Sequence, residues 1–216
     1  MKSILLLVAA SIFFVNSSCS QNGPNKIVTG NIGAPCEGCE AIYECPIPFE
    51  KLENMAWLPD WKEPGTKLAV NGIVYKPDGK TPAANVIIYI YHTDQKGVYP
   101  TKGGEKGWAK RHGYLRGWMR TNEKGEYKFF TLRPASYPNS NAPAHIHITI
   151  KEPGKNEYWI DEFLFDDDPF LTNEERAHLK NRCGSGILKT VEVEKGFLKA
   201  ERHIYLGQNI PNYPKG

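Results

Sequence analysis

Long hydrophobic runs are nearly missing from this chain of 216 residues. Apart from Ile4 to Val15, no stretch approaches the length needed to cross a bilayer. An excess of one charge is missing too. Lys and Arg number 27 against 24 Asp and Glu, a formal net charge of +3 with the positives scattered. Nothing in it makes the basic patch by which proteins hold nucleic acid. No G-x-S-x-G, P-loop, dinucleotide fingerprint or H-E-x-x-H occurs, which removes the familiar signatures of serine hydrolases, nucleotide enzymes and zinc proteases. There is no internal repeat and no low-complexity tract. The chain is long enough for one domain with a real core and short for two.

Turn formers are plentiful, with 20 Gly and 16 Pro. They separate short runs with the two-residue alternation of strands. Extended structure is predicted over Leu68 to Tyr75, Val86 to His92, Arg116 to Thr121, Glu126 to Phe130, Ala144 to Ile150, Tyr158 to Phe165 and Ile187 to Val193. Val86 to His92 is apolar on both faces, as a strand inside a sandwich would be. Turns are predicted at Pro77 to Ala83, Asn122 to Gly125 and Pro153 to Asn156. Thr93 to Tyr114 is a polar, glycine-rich excursion. One short helix is expected, capped by Thr172 with Glu175 three residues on and continuing through Ala177 to Lys180. Strands at this spacing with a single short helix predict a mainly β protein, a β-sandwich. Tyr205 to Gly216 reads as a tail docked on it.

The N-terminus reads as an export signal over residues 1–18: Lys2, the apolar run, then the small residues Asn16, Ser17 and Ser18. Cys19 after them resembles a bacterial lipoprotein cleavage site, so the expected mature protein is exported and anchored through lipidated Cys19, in the periplasm or at the outer membrane. Residues 19–66 form a cysteine-containing arm and 67–216 the sandwich. In an oxidising compartment Cys36, Cys39, Cys45 and Cys183 are disulfide candidates, and four cysteines allow three full pairings that sequence does not choose among. One outcome staples the arm to the C-terminal part through Cys183. The C-x-x-C spacing of Cys36 and Cys39 also suits a structural zinc site or a redox pair. Trp57 and Trp61 are the arm's candidate packing residues.

His145 and His147 stand two apart in A-H-I-H-I-T-I, so a strand turns both imidazoles to one face and Ile146, Ile148 and Ile150 to the other. Such a pair is either a set of metal ligands or an ordinary solvent-facing pair. Tyr137 sits in the proline-fixed segment S-Y-P, and Tyr99 ends D-Q-K-G-V-Y before Pro100. Each alone reads as a packed aromatic.

Together these segments resemble a family. G-x-V-x-x-P-D-G-K-x-P-x-A-x-V, T-D-Q-K-G-V-Y, R-T-N-E-K-G-E-Y-K-F-x-T-L-R-P-x-x-Y-P and P-A-H-I-H are similar to the intradiol ring-cleavage dioxygenases, over about Leu68 to Phe170. The resemblance implies a β-sandwich of that type and a non-haem ferric iron held by Tyr99, Tyr137, His145 and His147. Tyr137 would be the axial tyrosinate that leaves when substrate binds, and Tyr99 the one that stays. It further implies an aromatic diol and dioxygen as partners, and a cis,cis-muconate type of dicarboxylate as product. A homodimer is the candidate assembly, with no nucleic acid, and membrane contact only through Cys19.

Two positions depart from the family pattern. Ala142 stands where the family carries an Arg before P-A-H-x-H, and Glu162 aligns with a family Gln. Arg111, Arg116 and Arg133 are the guanidiniums with a chance of replacing it. Arg111, His112 and Glu162 are the candidate pocket residues, with a surface-loop role as the default for His112. Asp166, Asp167 and Asp168 read as a solvated strand end rather than a cation site. Competing readings are a transthyretin-like or carboxypeptidase-regulatory-like binding sandwich, a metal-binding but catalytically silent homologue, and a zinc protein built on the two histidines.

Overall fold

A computed structural model describes residues 31–214. The expected signal segment and Cys19 lie outside them. Twelve strands form two six-stranded sheets. The first contains β1 (Met55–Trp57), β2 (Lys67–Tyr75), β5 (Glu126–Leu132), β10 (Val191–Glu194), β11 (Phe197–Glu201) and β12 (Ile204–Tyr205), in the order β1-β5-β2-β11-β10 with β12 also on β2. The second contains β3 (Ile87–His92), β4 (Arg116–Arg120), β6 (His145–Lys151), β7 (Glu157–Trp159), β8 (Phe163–Phe165) and β9 (Ile187–Leu188), in the order β4-β3-β6-β8-β9 with β7 also on β6. Alternation along the strands explains the core. Leu68, Val70, Val74, Tyr127 and Phe129 of the first sheet meet Ile88, Ile90, Ile146, Ile148, Ile150, Phe163 and Phe165 of the second in one buried cluster. Each such side chain contributes about 1.5–3 kcal/mol by leaving water.

A second, smaller cluster lies on the outer face of the second sheet. There Ile87 and Tyr89 are covered by Ala41 and Ile42 of the arm, with Tyr91, Trp108 and Trp118 against them. The arm is thereby built into the fold. Trp57 stacks flat on Phe130 at 3.7 Å between ring centres, and Trp61 meets Phe130 edge-on. Glu44 takes Arg116 Nη1 at 2.7 Å and the Trp108 backbone N–H at 2.7 Å.

Several expectations are corrected. The predicted strand Tyr158 to Phe165 is broken into β7 and β8, because the backbone between them turns inward: the Asp161 carbonyl accepts from Arg202 Nη1 at 2.6 Å and the Asp161 carboxylate from Asn181 N at 2.7 Å. Ile187 to Val193 is likewise two strands, β9 in one sheet and β10 in the other. The helix α2 (Asn173–His178) is capped by Thr172, whose hydroxyl accepts from Glu175 N at 3.2 Å, and ends before Lys180. A further helical turn, α1 (Ala109–His112), interrupts the polar excursion. Cys183 does not staple the arm: it is buried in the inter-sheet core while Cys36 and Cys39, bonded to each other with Cα atoms 5.7 Å apart, lie on the opposite face of the second sheet. Cys45 has no disulfide partner among the described residues. The tail is docked through Tyr213, which donates to Glu152 at 2.8 Å.

Candidate metal centre

The centre is on the outer face of the second sheet. β6 turns His145, His147 and Thr149 outward because its isoleucines take the core side. In register, Tyr91 of β3 stands directly opposite His147. Two loops bring the phenols. An Asp94 turn, with Lys96 N and Val98 N on its carboxylate at 2.8 and 3.1 Å, delivers Tyr99. The same turn is laced to the Tyr137 loop: Ala135 N donates to the Asp94 carbonyl at 3.1 Å and Thr93 Oγ1 to the Ala135 carbonyl at 2.7 Å. Gly97 (φ 76°) allows this lacing, since a Cβ there would lie 1.9 Å from the Ser136 carbonyl oxygen. Asp168 anchors the start of β6 by accepting from Ala144 N at 3.0 Å. Of the three aspartates, Asp166 and Asp167 are exposed as a solvated strand end would be, and only Asp168 departs from that reading. Asp168 is buried, Asp167 is bidentate with Arg133 and Asp166 pairs with Arg176.

The four expected residues converge. Tyr99 Oη lies 2.8 Å from His147 Nε2 and 2.5 Å from Tyr137 Oη. Tyr137 Oη lies 3.1 Å from His145 Nε2 and 3.4 Å from His147 Nε2, and the two Nε2 atoms are 3.1 Å apart. The outer nitrogens fix the tautomers. His145 Nδ1 faces the Pro143 carbonyl at 2.7 Å, and His147 Nδ1 faces Glu162 Oε1 at 3.1 Å. Both partners only accept, so each Nδ1 carries the proton and each Nε2 presents a lone pair. Two lone-pair nitrogens and two phenol oxygens thus crowd one point with only two hydroxyl protons among them. A cation relieves that arrangement.

The electrostatics agree. Burial first, then the hydrogen bond with Tyr137, pushes Tyr99 well above the usual phenol range. Burial also raises Tyr137, although its bond with Tyr99 works the other way. Burial and the neighbouring His147 lower His145, keeping it neutral. Unaided, the phenols stay protonated, and only a bound cation supplies the field that ionises them. Two phenolates and two imidazoles suit a hard, highly charged ion that accepts nitrogen, such as ferric iron, and would be an unusual set for zinc. Glu162 could share a cation with the histidines, since one atom from each lies within 4.8 Å of the others. Its contact, however, is to Nδ1, the nitrogen turned away from the phenols. It acts on the proton of His147 instead. Burial is the largest influence and opposes its charge, but the His147 hydrogen bond together with the charges of His147, His145 and Arg202 outweighs it and holds Glu162 below the ordinary carboxylate range.

A cavity of about 260 Å³ opens beside His147, walled by Glu162, Tyr91, Trp159 and the Pro35–Cys39 loop with its disulfide. His112 is not a surface residue. It is 5% exposed, stacks on Tyr91 at 3.7 Å between ring centres, and bonds the Tyr89 hydroxyl through Nδ1 at 2.9 Å. Arg111 reaches the rim, paired with Glu37. No guanidinium of the three candidates is free at the centre, since Arg116 holds Glu44 and Arg133 holds Asp167. Sequence reasoning missed Tyr91 and Glu37. The Y-I-Y alternation of β3 marked Tyr91 as facing away from Ile90, but the covering of that face by the arm was not legible.

A family model described as "Dioxygenase" matches residues 48–182. Catechol 1,2-dioxygenase 2 of Acinetobacter lwoffii is 28% identical over 169 residues, covering 68% of this chain and 58% of that protein. The protocatechuate 3,4-dioxygenase beta chain of Burkholderia cepacia is 26% identical over 144 residues, covering 64% and 59%. The chain thus spans between a third and three fifths of the length of the curated relatives it matches (33–59%). Among solved structures, an intradiol ring-cleavage dioxygenase from Tetranychus urticae superposes with a TM-score of 0.55 at 23% identity, covering 80% of this chain and 94% of that one. The dioxygenase domain of a carbohydrate-binding fusion protein from Streptomyces sp. SirexAA-E superposes with a TM-score of 0.54 at 20% identity, covering 74% and 92%. These two likenesses carry the sandwich architecture.

Proposed function

This chain belongs to the intradiol ring-cleavage dioxygenase family, and from that premise we propose that it opens a catechol-type ring between its two hydroxylated carbons, placing both atoms of dioxygen in a muconate-type dicarboxylate. The observation that carries the reading is the convergence of Tyr99, Tyr137, His145 and His147 on one point. These four would hold a ferric ion. When bound, that ion supplies the charge that ionises the phenols and activates the diol toward dioxygen.

The chain's own groups do the rest. The Pro143 carbonyl and Glu162 keep the Nδ1 protons in place, so both imidazoles offer Nε2. Tyr99 Oη, close to His147, stays. Tyr137 Oη, 2.5 Å from Tyr99 Oη and 3.1 Å from His145 Nε2, would as a phenolate be the base that takes up one of the two diol protons. Ile148, Ile160 and Trp159 wall the cavity beyond His147 and limit water there. We read the protein as exported and anchored through Cys19, with the Cys36–Cys39 disulfide as support, since such bonds persist in oxidising compartments.

Protein loaded with ferric iron should be burgundy and consume one dioxygen per catechol, and Tyr99→Phe should lose iron and colour together. Colourless protein after reconstitution, or full iron content in Tyr99→Phe, overturns the assignment. Ala142 and the engagement of Arg111, Arg116 and Arg133 elsewhere favour one second reading, a silent homologue. It predicts coloured, iron-loaded protein with no oxygen uptake on any catechol.

A further inference from the structure

Tyr91 is the one aromatic of the site whose role the reaction leaves open. Its ring is held on both faces: by His112 at 3.7 Å between ring centres and 5° between planes, and by His147 at 4.4 Å and 18°. The stack is locked from outside. Gly38 of the disulfide loop sits so close that a Cβ would lie 3.0 Å from His112 Nε2, and Tyr89 Oη holds His112 Nδ1. Tyr91 cannot turn without moving the arm. It lines the cavity and is part-exposed there, and among the described residues its hydroxyl has no hydrogen-bond partner. In the cavity lining Tyr91 stands with His147, Glu37 and Glu162. An unpartnered phenol on a rigid wall is a hydrogen-bond donor waiting for an acceptor.

The cavity limits what the acceptor is. Glu37 and Glu162 are its charged lining residues, and the neighbouring Arg111 is already paired with Glu37. An anionic substituent would meet the Glu162 carboxylate with Arg111 already engaged by Glu37, whereas a neutral oxygen would meet no such repulsion. We propose that Tyr91 determines specificity by donating a hydrogen bond to a neutral oxygen substituent on the ring of the bound diol, so that the enzyme favours ether- or carbonyl-bearing catechols over carboxylated ones. This rests on the dioxygenase reading above.

The test uses the full chain loaded with ferric iron, titrated without dioxygen against catechol, 4-methoxycatechol and 3,4-dihydroxybenzoate, with binding followed in the visible spectrum. Steady-state oxygen uptake with the same diols follows. Wild type should bind 4-methoxycatechol most tightly and the benzoate least. Tyr91→Phe keeps the ring stack and removes only the donor. Its preference for 4-methoxycatechol over catechol should fall roughly three- to tenfold in both dissociation constant and kcat/KM, the worth of one neutral hydrogen bond. The iron absorption of the resting variant should match wild type, which shows that the stack survives. If wild type binds and turns over catechol but the preference is the same in Tyr91→Phe, or the benzoate binds most tightly, this proposal fails and the dioxygenase reading stands. If iron-loaded wild type binds none of the three diols, both fail.

Discussion

Glu162 shows how one side chain sets the chemistry of another. It touches no phenol, yet its carboxylate takes the Nδ1 side of His147 at 3.1 Å and so decides which nitrogen faces the centre. Partners of this kind orient a ligating imidazole and raise its basicity, and removing one typically lowers metal affinity ten- to hundredfold. Glu162→Ala is therefore expected to weaken iron binding by that factor in a competition with a chelator. Glu162→Gln, which keeps an acceptor and drops the charge, should recover part of the loss. Equal affinity in wild type and Glu162→Ala would mean that the carboxylate is a bystander. Asp168 is the contrasting case. It bonds only backbone N–H groups at the start of β6 and at Phe170, so its work is structural.

At the scale of elements, the centre depends on two loops meeting at Gly97. The turn that carries Tyr99 and the segment that carries Tyr137 touch where any Cβ at position 97 would collide with the Ser136 carbonyl at 1.9 Å, and the backbone there is left-handed (φ 76°). Gly97→Ala must push the Ser136–Pro138 backbone away and strain its own turn. The expectation is a loss of about 1–3 kcal/mol in urea unfolding together with poor iron loading, because both phenols are displaced at once. Normal iron content in a destabilised Gly97→Ala protein would show that the loops move independently of the centre. The same loops mark the limit of what the sequence told. The histidine strand was legible from alternation alone, since His145 and His147 could only face away from Ile146 and Ile148. Tyr99 and Tyr137 were legible through family resemblance, because loop closure leaves no periodic trace. The break between β7 and β8 was hidden: Tyr158 to Phe165 reads as one apolar run, and what divides it is buried Arg202, some forty residues on, reaching the Asp161 carbonyl. Phe197–Glu201 was passed over because F-L-K-A-E has no clear period, and it becomes a strand by lying parallel to β2.

Taken whole, the molecule is a sandwich with a third layer, the arm, closing the face that carries the centre. The closure is a chain of contacts: disulfide loop on His112, His112 on Tyr91 and Tyr89, Glu44 on Arg116 and Trp108. His112 is the weak link in acid. Burial first, then His147 and Arg116, depresses it to about 4, against roughly 6.5 in the unfolded chain. Because the folded value is the lower one, the unfolded state takes up the proton first. Stability is thus complete above pH 6.5 and drains away as the pH falls from there toward 4, by up to about 1.4 kcal/mol per pH unit. Urea titrations at pH 7.5 and 5.5 should differ by about 1.4 kcal/mol more in wild type than in His112→Gln, which has no proton to take up at that position. His92 and His145 are also lowered by burial and push the same way, but both remain in the variant, so the difference between the two proteins isolates the stacked histidine. An identical pH dependence in the two proteins would mean that His112 is solvated, and that the arm does not seal the face over Tyr91.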